Sequence, residues 1–152
     1  MKPSHKYLIL ACFGAAMGYL EAVVVVYLRK ILSIGGVVDL TQMVMSQVPQ
    51  DVMRLEISRE AATIIMIIAV ALLVEKGKRY RLSVFLWVFA MWDIFYYVSL
   101  KILIDWPKSL GTVDCLFLIP GPWIAPVWIP FLAMAMFLTA AIWLARKNPV
   151  AK

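Results

Sequence analysis

Four apolar blocks divide the chain: Tyr7–Leu28, Ile57–Val74, Leu82–Ile104 and Val127–Leu144. At 1.5 Å per helical residue they reach about 33, 27, 34 and 27 Å, against a hydrocarbon core of about 30 Å. No water in that core can satisfy a free backbone N–H or C=O, so each block must close its own hydrogen bonds as a helix. The expectation is an all-α, four-transmembrane-helix bundle, with residues 1–152 forming one integral membrane domain. Composition agrees. Of the 152 residues, 64% are hydrophobic and 16% charged, where a soluble domain carries about a quarter charged.

Basic residues orient the helices. Glu75-Lys76-Gly77-Lys78-Arg79-Tyr80-Arg81 packs four cations into one short connection, and short basic loops stay cytoplasmic. With Lys2, Lys6, Arg146, Lys147 and Lys152 on the same side, nine of the 15 Lys and Arg lie there and six opposite. This reading makes the chain a multi-pass protein of the inner (cytoplasmic) membrane, with both termini cytoplasmic. The net charge of +6 is then a topology signal and implies no nucleic acid. Ile9-Leu10-Ala11-Cys12 has the look of a lipoprotein cleavage box, but the apolar run continues unbroken to Leu28 and is expected to stay as the first helix. Cys12 and Cys115 are expected at opposite membrane depths, unpaired.

Two outer connections are more than turns. Across residues 29–56, Ile34-Gly35-Gly36 marks a break, and Leu40, Met43, Val44 and Val48 fall at helical spacing, so a short surface helix is expected. The second holds Pro107, Pro120, Pro122 and Pro126 with Trp106, Trp123 and Trp128. It reads as irregular backbone, either an interfacial cap or a shallow re-entrant segment, since indoles favour the headgroup level.

Several charges fall where lipid should be. The uninterrupted apolar run of the second block, Ala61–Val74, spans about 21 Å, short of the core by about 9 Å. Either the bilayer thins there, or Arg59 and Glu60, with Glu56, sit at hydrocarbon depth. Glu56 and Glu60 share a helix face with Thr63 and Ile67. In the first block Gly14 and Gly18 make a GxxxG step, on one stripe with Ala11, Glu21 and Val25. Small residues admit a neighbouring backbone, so Glu21 points at protein. Asp93 lies near the middle of the third block, Tyr97 follows one turn outward, and Lys101 closes that face. A charge at mid-membrane costs about 2.5 kcal/mol or more.

Together Glu21, Glu56, Arg59, Glu60, Asp93, Tyr96, Tyr97 and Lys101 form an expected polar spine in the outer half. Two readings of it stay open. It is a site for a cation, proton or small polar ligand, or a lock in which Arg59 and Lys101 neutralise the acids.

His5 is the only histidine, which argues against a bis-histidine haem, histidine-built zinc or copper sites and Ser–His hydrolysis. No phosphate loop, nucleophile elbow or CxxC is present, and no cofactor or metal is expected. The segments Trp92-Asp93-Ile94-Phe95-Tyr96-Tyr97, Asp105-Trp106-Pro107 and Leu116-Phe117-Leu118-Ile119-Pro120-Gly121-Pro122-Trp123 resemble those of small bacterial multi-pass membrane proteins of uncharacterised activity. A looser likeness is to small multidrug-resistance transporters, which also have four helices, a Glu in the first and aromatics in the third. This chain differs from them in its long first outer connection, Arg59 and its further acids. The expected function is a non-enzymatic accessory or ligand-binding subunit of a membrane assembly, associating with other subunits or with itself through Gly14 and Gly18. A small proton- or cation-coupled transporter comes second and an intramembrane acid–base enzyme third.

The topology is directly testable. Lys78→Cys and Val150→Cys should react with an impermeant thiol reagent only from the cytoplasmic side, and native Cys115 only from outside. Labelling of position 78 from outside would overturn the orientation.

Overall fold

The computed structural model describes residues 3–31 and 49–146. It comprises α1 (Pro3–Ile31), α2 (Gln50–Val74), α3 (Lys78–Ile104), β1 (Val113–Phe117), β2 (Trp123–Pro126) and α4 (Trp128–Arg146). All four helices are long and apolar enough to cross a membrane. α1, α2 and α3 run past their apolar blocks at both ends or one, because polar flanks continue a helix without strain. α2 begins directly after Pro49, whose carbonyl accepts the Met53 N–H at 3.0 Å. The surface helix expected within 29–56 falls on residues outside those described.

α3 is the central element. Its buried residues, among them Ser83, Val84, Ala90, Trp92, Tyr97 and Leu100, fall on more than one face, as expected of a helix with several neighbours. α1, α2 and α4 each pack on it. α2 buries a single stripe, Glu60, Thr63, Ile67 and Ala71, which is the face the sequence spacing selects.

Specific contacts pair the helix ends. Lys6 forms an ion pair with Glu75, the Tyr7 hydroxyl meets Ser83 Oγ at 2.7 Å, and Ser83 Oγ donates to the Ala141 carbonyl at 2.7 Å. The start of α1 and the end of α4 therefore lie at the same end. Apolar packing forms two layers, one around Leu10, Ile67, Val84, Val88 and Trp92. The other, around Ala22, Tyr97, Leu100, Trp106, Val127 and Met134, adjoins the strands.

Gly14 and Gly18 are spent on α3. A Cβ at Gly18 would meet the Trp92 carbonyl oxygen at 2.3 Å and the Tyr96 nitrogen at 2.7 Å, and one at Gly14 the Met91 Cβ at 2.8 Å. The close approach that the sequence reading offers to a second copy is made within the chain.

The connection after α3 departs from the irregular backbone its prolines suggest. β1 and β2 form an antiparallel hairpin pairing Val113 with Pro126, Asp114 with Ala125 and Cys115 with Ile124. Val113 and Phe117 favour strands. Pro120 and Pro122 fall in the turn and Pro126 at the strand end, where no ladder N–H is required. The hairpin also runs deeper than a shallow re-entrant segment. The Phe117 ring stacks on Phe89 at 6.3 Å and lies 6.2 Å from Trp92, which brings the turn to the middle of α3.

Gly18→Ala should destabilise the protein by about 1–3 kcal/mol, the usual cost of overpacking, and more than Gly14→Ala. At Gly18 the obstruction is backbone, whereas at Gly14 the nearest atom belongs to a side chain. Unfolding midpoints in a fixed detergent measure both, and equal loss would contradict the inferred contact.

Candidate functional site

The site lies at the hairpin end, where α1, α2, α3 and β1 converge. Arg59 of α2 is its first organiser. Its Nη1 lies 2.6 Å from Glu21 Oε1 on α1, its Nη2 lies 2.8 Å from Glu56 Oε2, and its Nε donates to that same oxygen at 2.9 Å. The (i, i+3) spacing sets the Glu56 contact and the glycine step sets the other, because Gly18 brings α1 onto α3 with Glu21 one turn further on. Trp92 Nε1 donates to the second Glu21 oxygen at 3.1 Å. Glu21 thus joins three helices through one carboxylate.

Glu60 has a different partner from the one its spacing suggests. Both its oxygens accept the Leu118 N–H, at 2.9 and 3.2 Å, so α2 is tied to the hairpin turn. This N–H follows the last β1 residue and has no strand opposite it. A carboxylate supplies the acceptor that water would supply outside a membrane.

Tyr97 donates its hydroxyl to Asp114 Oδ2 at 2.9 Å, and its ring lies 5.0 Å from Tyr96 and 6.2 Å from Trp106. The Arg29 guanidinium sits 4.5 Å over the Trp106 ring and is within electrostatic range of Asp114. Asp93 is the exception. It forms no hydrogen bond or ion pair among the described residues, and the charges that act on it are Asp114 and Glu21, both acidic.

Lys101 leaves the spine. Its Nζ pairs with Asp105 at 2.7 Å and donates to the Pro107 carbonyl at 3.1 Å, so it neutralises none of the intramembrane acids. The cause is local. Asp105 ends α3 in the left-handed conformation (φ 52°), which swings its carboxylate into the (i, i+4) reach of Lys101. With Lys108 on the other side, the two lysines hold the Asp105 carboxyl down to about 2.

The structure therefore brings Glu21, Glu56, Arg59, Glu60, Asp93, Tyr96 and Tyr97 to one end and leaves Lys101 at the rim. It adds Trp92, Trp106, Arg29 and above all Asp114, which is fully buried. Reading the connection as an interfacial loop puts Asp114 in headgroups. The available signal was a lone acid set among apolar residues, between Val113 and Cys115-Leu116-Phe117.

Cys115 shares the hairpin. Its thiol is half-buried, which hinders an aqueous reagent. The outward label in the topology test belongs on exposed Ser109→Cys instead.

Because Arg59 serves Glu21 and Glu56, the rescue pattern is specific. Arg59→Met should cost toward the lower end of the about 3–5 kcal/mol typical of an orphaned buried charge, since a quarter of its side chain is exposed and solvent screens it. Adding Glu21→Gln should recover part of that loss, and adding Glu60→Gln none. Denaturation curves of the single and double variants decide it. Rescue by Glu60→Gln instead would contradict this network.

No protein-family profile, curated protein or solved structure matches this chain, so its activity is read from its own residues.

Proposed function

We propose that the chain is a small non-enzymatic membrane subunit that binds an organic cation, such as a protonated amine, at the hairpin end of a four-helix bundle. In this reading that end faces away from the cytoplasm, as the basic connection at Lys76–Arg81 requires, and both termini are cytoplasmic.

The observation that carries the proposal is Asp93. Five carboxylates, Glu21, Glu56, Glu60, Asp93 and Asp114, gather around two guanidiniums, Arg29 and Arg59, among the described residues. Arg59 is committed to Glu21 and Glu56, Glu60 to a backbone N–H and Asp114 to Tyr97. Asp93 alone has only like charges for company. An acid at that depth needs a counter-charge, and a cationic ligand supplies one. No three Asp, Glu, His or Cys side chains among the described residues stand close enough to hold a metal ion, which favours an organic cation over a metal.

Thermal shift in nanodiscs, at constant ionic strength, provides the test. Putrescine, choline and tetraethylammonium are the probes, with sodium as the reference. At least one organic cation should raise the wild-type midpoint, since a ligand at 100 times its Kd adds about 2.7 kcal/mol. Asp93→Asn should abolish that rise while leaving the ligand-free midpoint unchanged or higher. A wild type indifferent to all three, or an Asp93→Asn variant stabilised equally, would sink the proposal. Uptake of the effective probe into sealed vesicles would move the reading to the transporter alternative.

A further inference from the structure

The opposite end of the molecule carries a second arrangement, independent of the acidic site. Two adjoining hollows lie along the outward face of α4. One, of about 610 Å³, is lined by Ala135, Met136, Thr139, Ala140 and Trp143. The next, of about 440 Å³, is lined by Thr139, Ile142, Trp143 and Arg146. They share Thr139 and Trp143, so they form one trough, floored by small residues and walled by large ones. From Ala135 to Arg146 it runs about 17 Å along the helix, close to the depth of one leaflet of a core about 30 Å thick.

The trough ends on guanidinium groups. Arg146 lines its end, and Arg79, from the start of α3, lies with its guanidinium 5.5 Å over the Trp143 ring. Arg79 Nε and Nη2 have no hydrogen-bond partner among the described residues. Both of these nitrogens are buried, which leaves Nη1 as the face of the guanidinium that an anion of oxygen chemistry can meet. Its neighbour Arg81 is differently placed, because its Nε is satisfied by the Glu75 carbonyl at 2.7 Å.

We propose that this trough is a binding site for one anionic phospholipid. An acyl chain lies along Ala135, Thr139 and Ala140, and the phosphate sits at Arg79 and Arg146. The length decides for a lipid over a free phosphate, since a soluble anion has no use for an apolar channel one leaflet deep. The charge decides for an anionic headgroup over a zwitterionic one, because Arg146 lines the trough and Arg79 lies over Trp143, which also lines it.

Native mass spectrometry of the delipidated protein in neutral detergent measures the site, with dioleoyl phosphatidylglycerol, dioleoyl phosphatidylcholine and inorganic phosphate as probes. The wild type should hold one phosphatidylglycerol at least tenfold more tightly than phosphatidylcholine. A basic side chain near a membrane surface contributes about fivefold. Arg146→Gln should therefore weaken phosphatidylglycerol about fivefold, and Arg146→Gln with Arg79→Gln about 25-fold, to the level of phosphatidylcholine. Thr139→Trp, which fills the trough from its exposed side and leaves the core alone, should weaken both lipids. Arg146 is exposed, so its single variant keeps the test open if Arg79→Gln fails to fold. Equal retention of the two lipids overturns the proposal, as does a preference that survives loss of Arg146. Competition by inorganic phosphate at the concentration of the lipid would also overturn it, by showing an anion site that needs no chain.

Discussion

A hairpin can descend to the middle of a transmembrane helix only if none of its backbone donors is left bare. The arrangement around residues 113–126 depends on that condition. Along the strands each chain satisfies the other. At the turn the burden falls on single residues. Pro120 and Pro122 carry no N–H, which removes two donors outright, and the Leu118 N–H is taken by both oxygens of Glu60. Glu60 looks from its helix position like half of an ion pair. Its actual work is to make irregular backbone tolerable at depth.

The inserted hairpin in turn explains the shape of the site. Asp114 reaches Tyr97 because β1 runs down alongside α3, and Phe117 fills the space beside Phe89 and Trp92. α3 is therefore packed by a sheet as well as by three helices, and Trp92 and Tyr97 are buried between them. The close approach of α1 at Gly18 completes the packing. It also brings Glu21 within reach of both Trp92 and Arg59, two residues on different helices, so a packing feature without any polar atom of its own determines which charges meet.

The helices were legible because hydrocarbon leaves the backbone few choices. An apolar block of sufficient length has one fate, and the spacing of Glu60, Thr63 and Ile67 named the buried face of α2. Gly14 and Gly18 correctly announced a close contact, but a small-residue stripe does not say whose backbone fills it, and here it is α3. The polar spine was readable only in part, both in its membership and in its pairing. Arg59 could have turned to Glu56, Glu60 or Glu21 by reach alone. The choice was made by the hairpin, which claimed Glu60. Lys101 was misjudged because its partner, Asp105, acts only through a left-handed residue at the helix end, a conformation that carries little sequence signature outside glycine and asparagine. The hairpin itself was hidden by its prolines, which argue against strands until their positions in the turn are known.

The Glu60–Leu118 contact also orders the protein in time. α2 is made with a short apolar run and five charged residues at one end. The partner of Arg59 on α1 has already been synthesised when α2 emerges, but the partner of Glu60 lies 58 residues downstream. During synthesis, then, α2 enters the bilayer with one of its two polar attachments ready and the other still inside the ribosome. The Glu60 contact can therefore close only after the hairpin has been made, later than the Arg59 contact on the same helix.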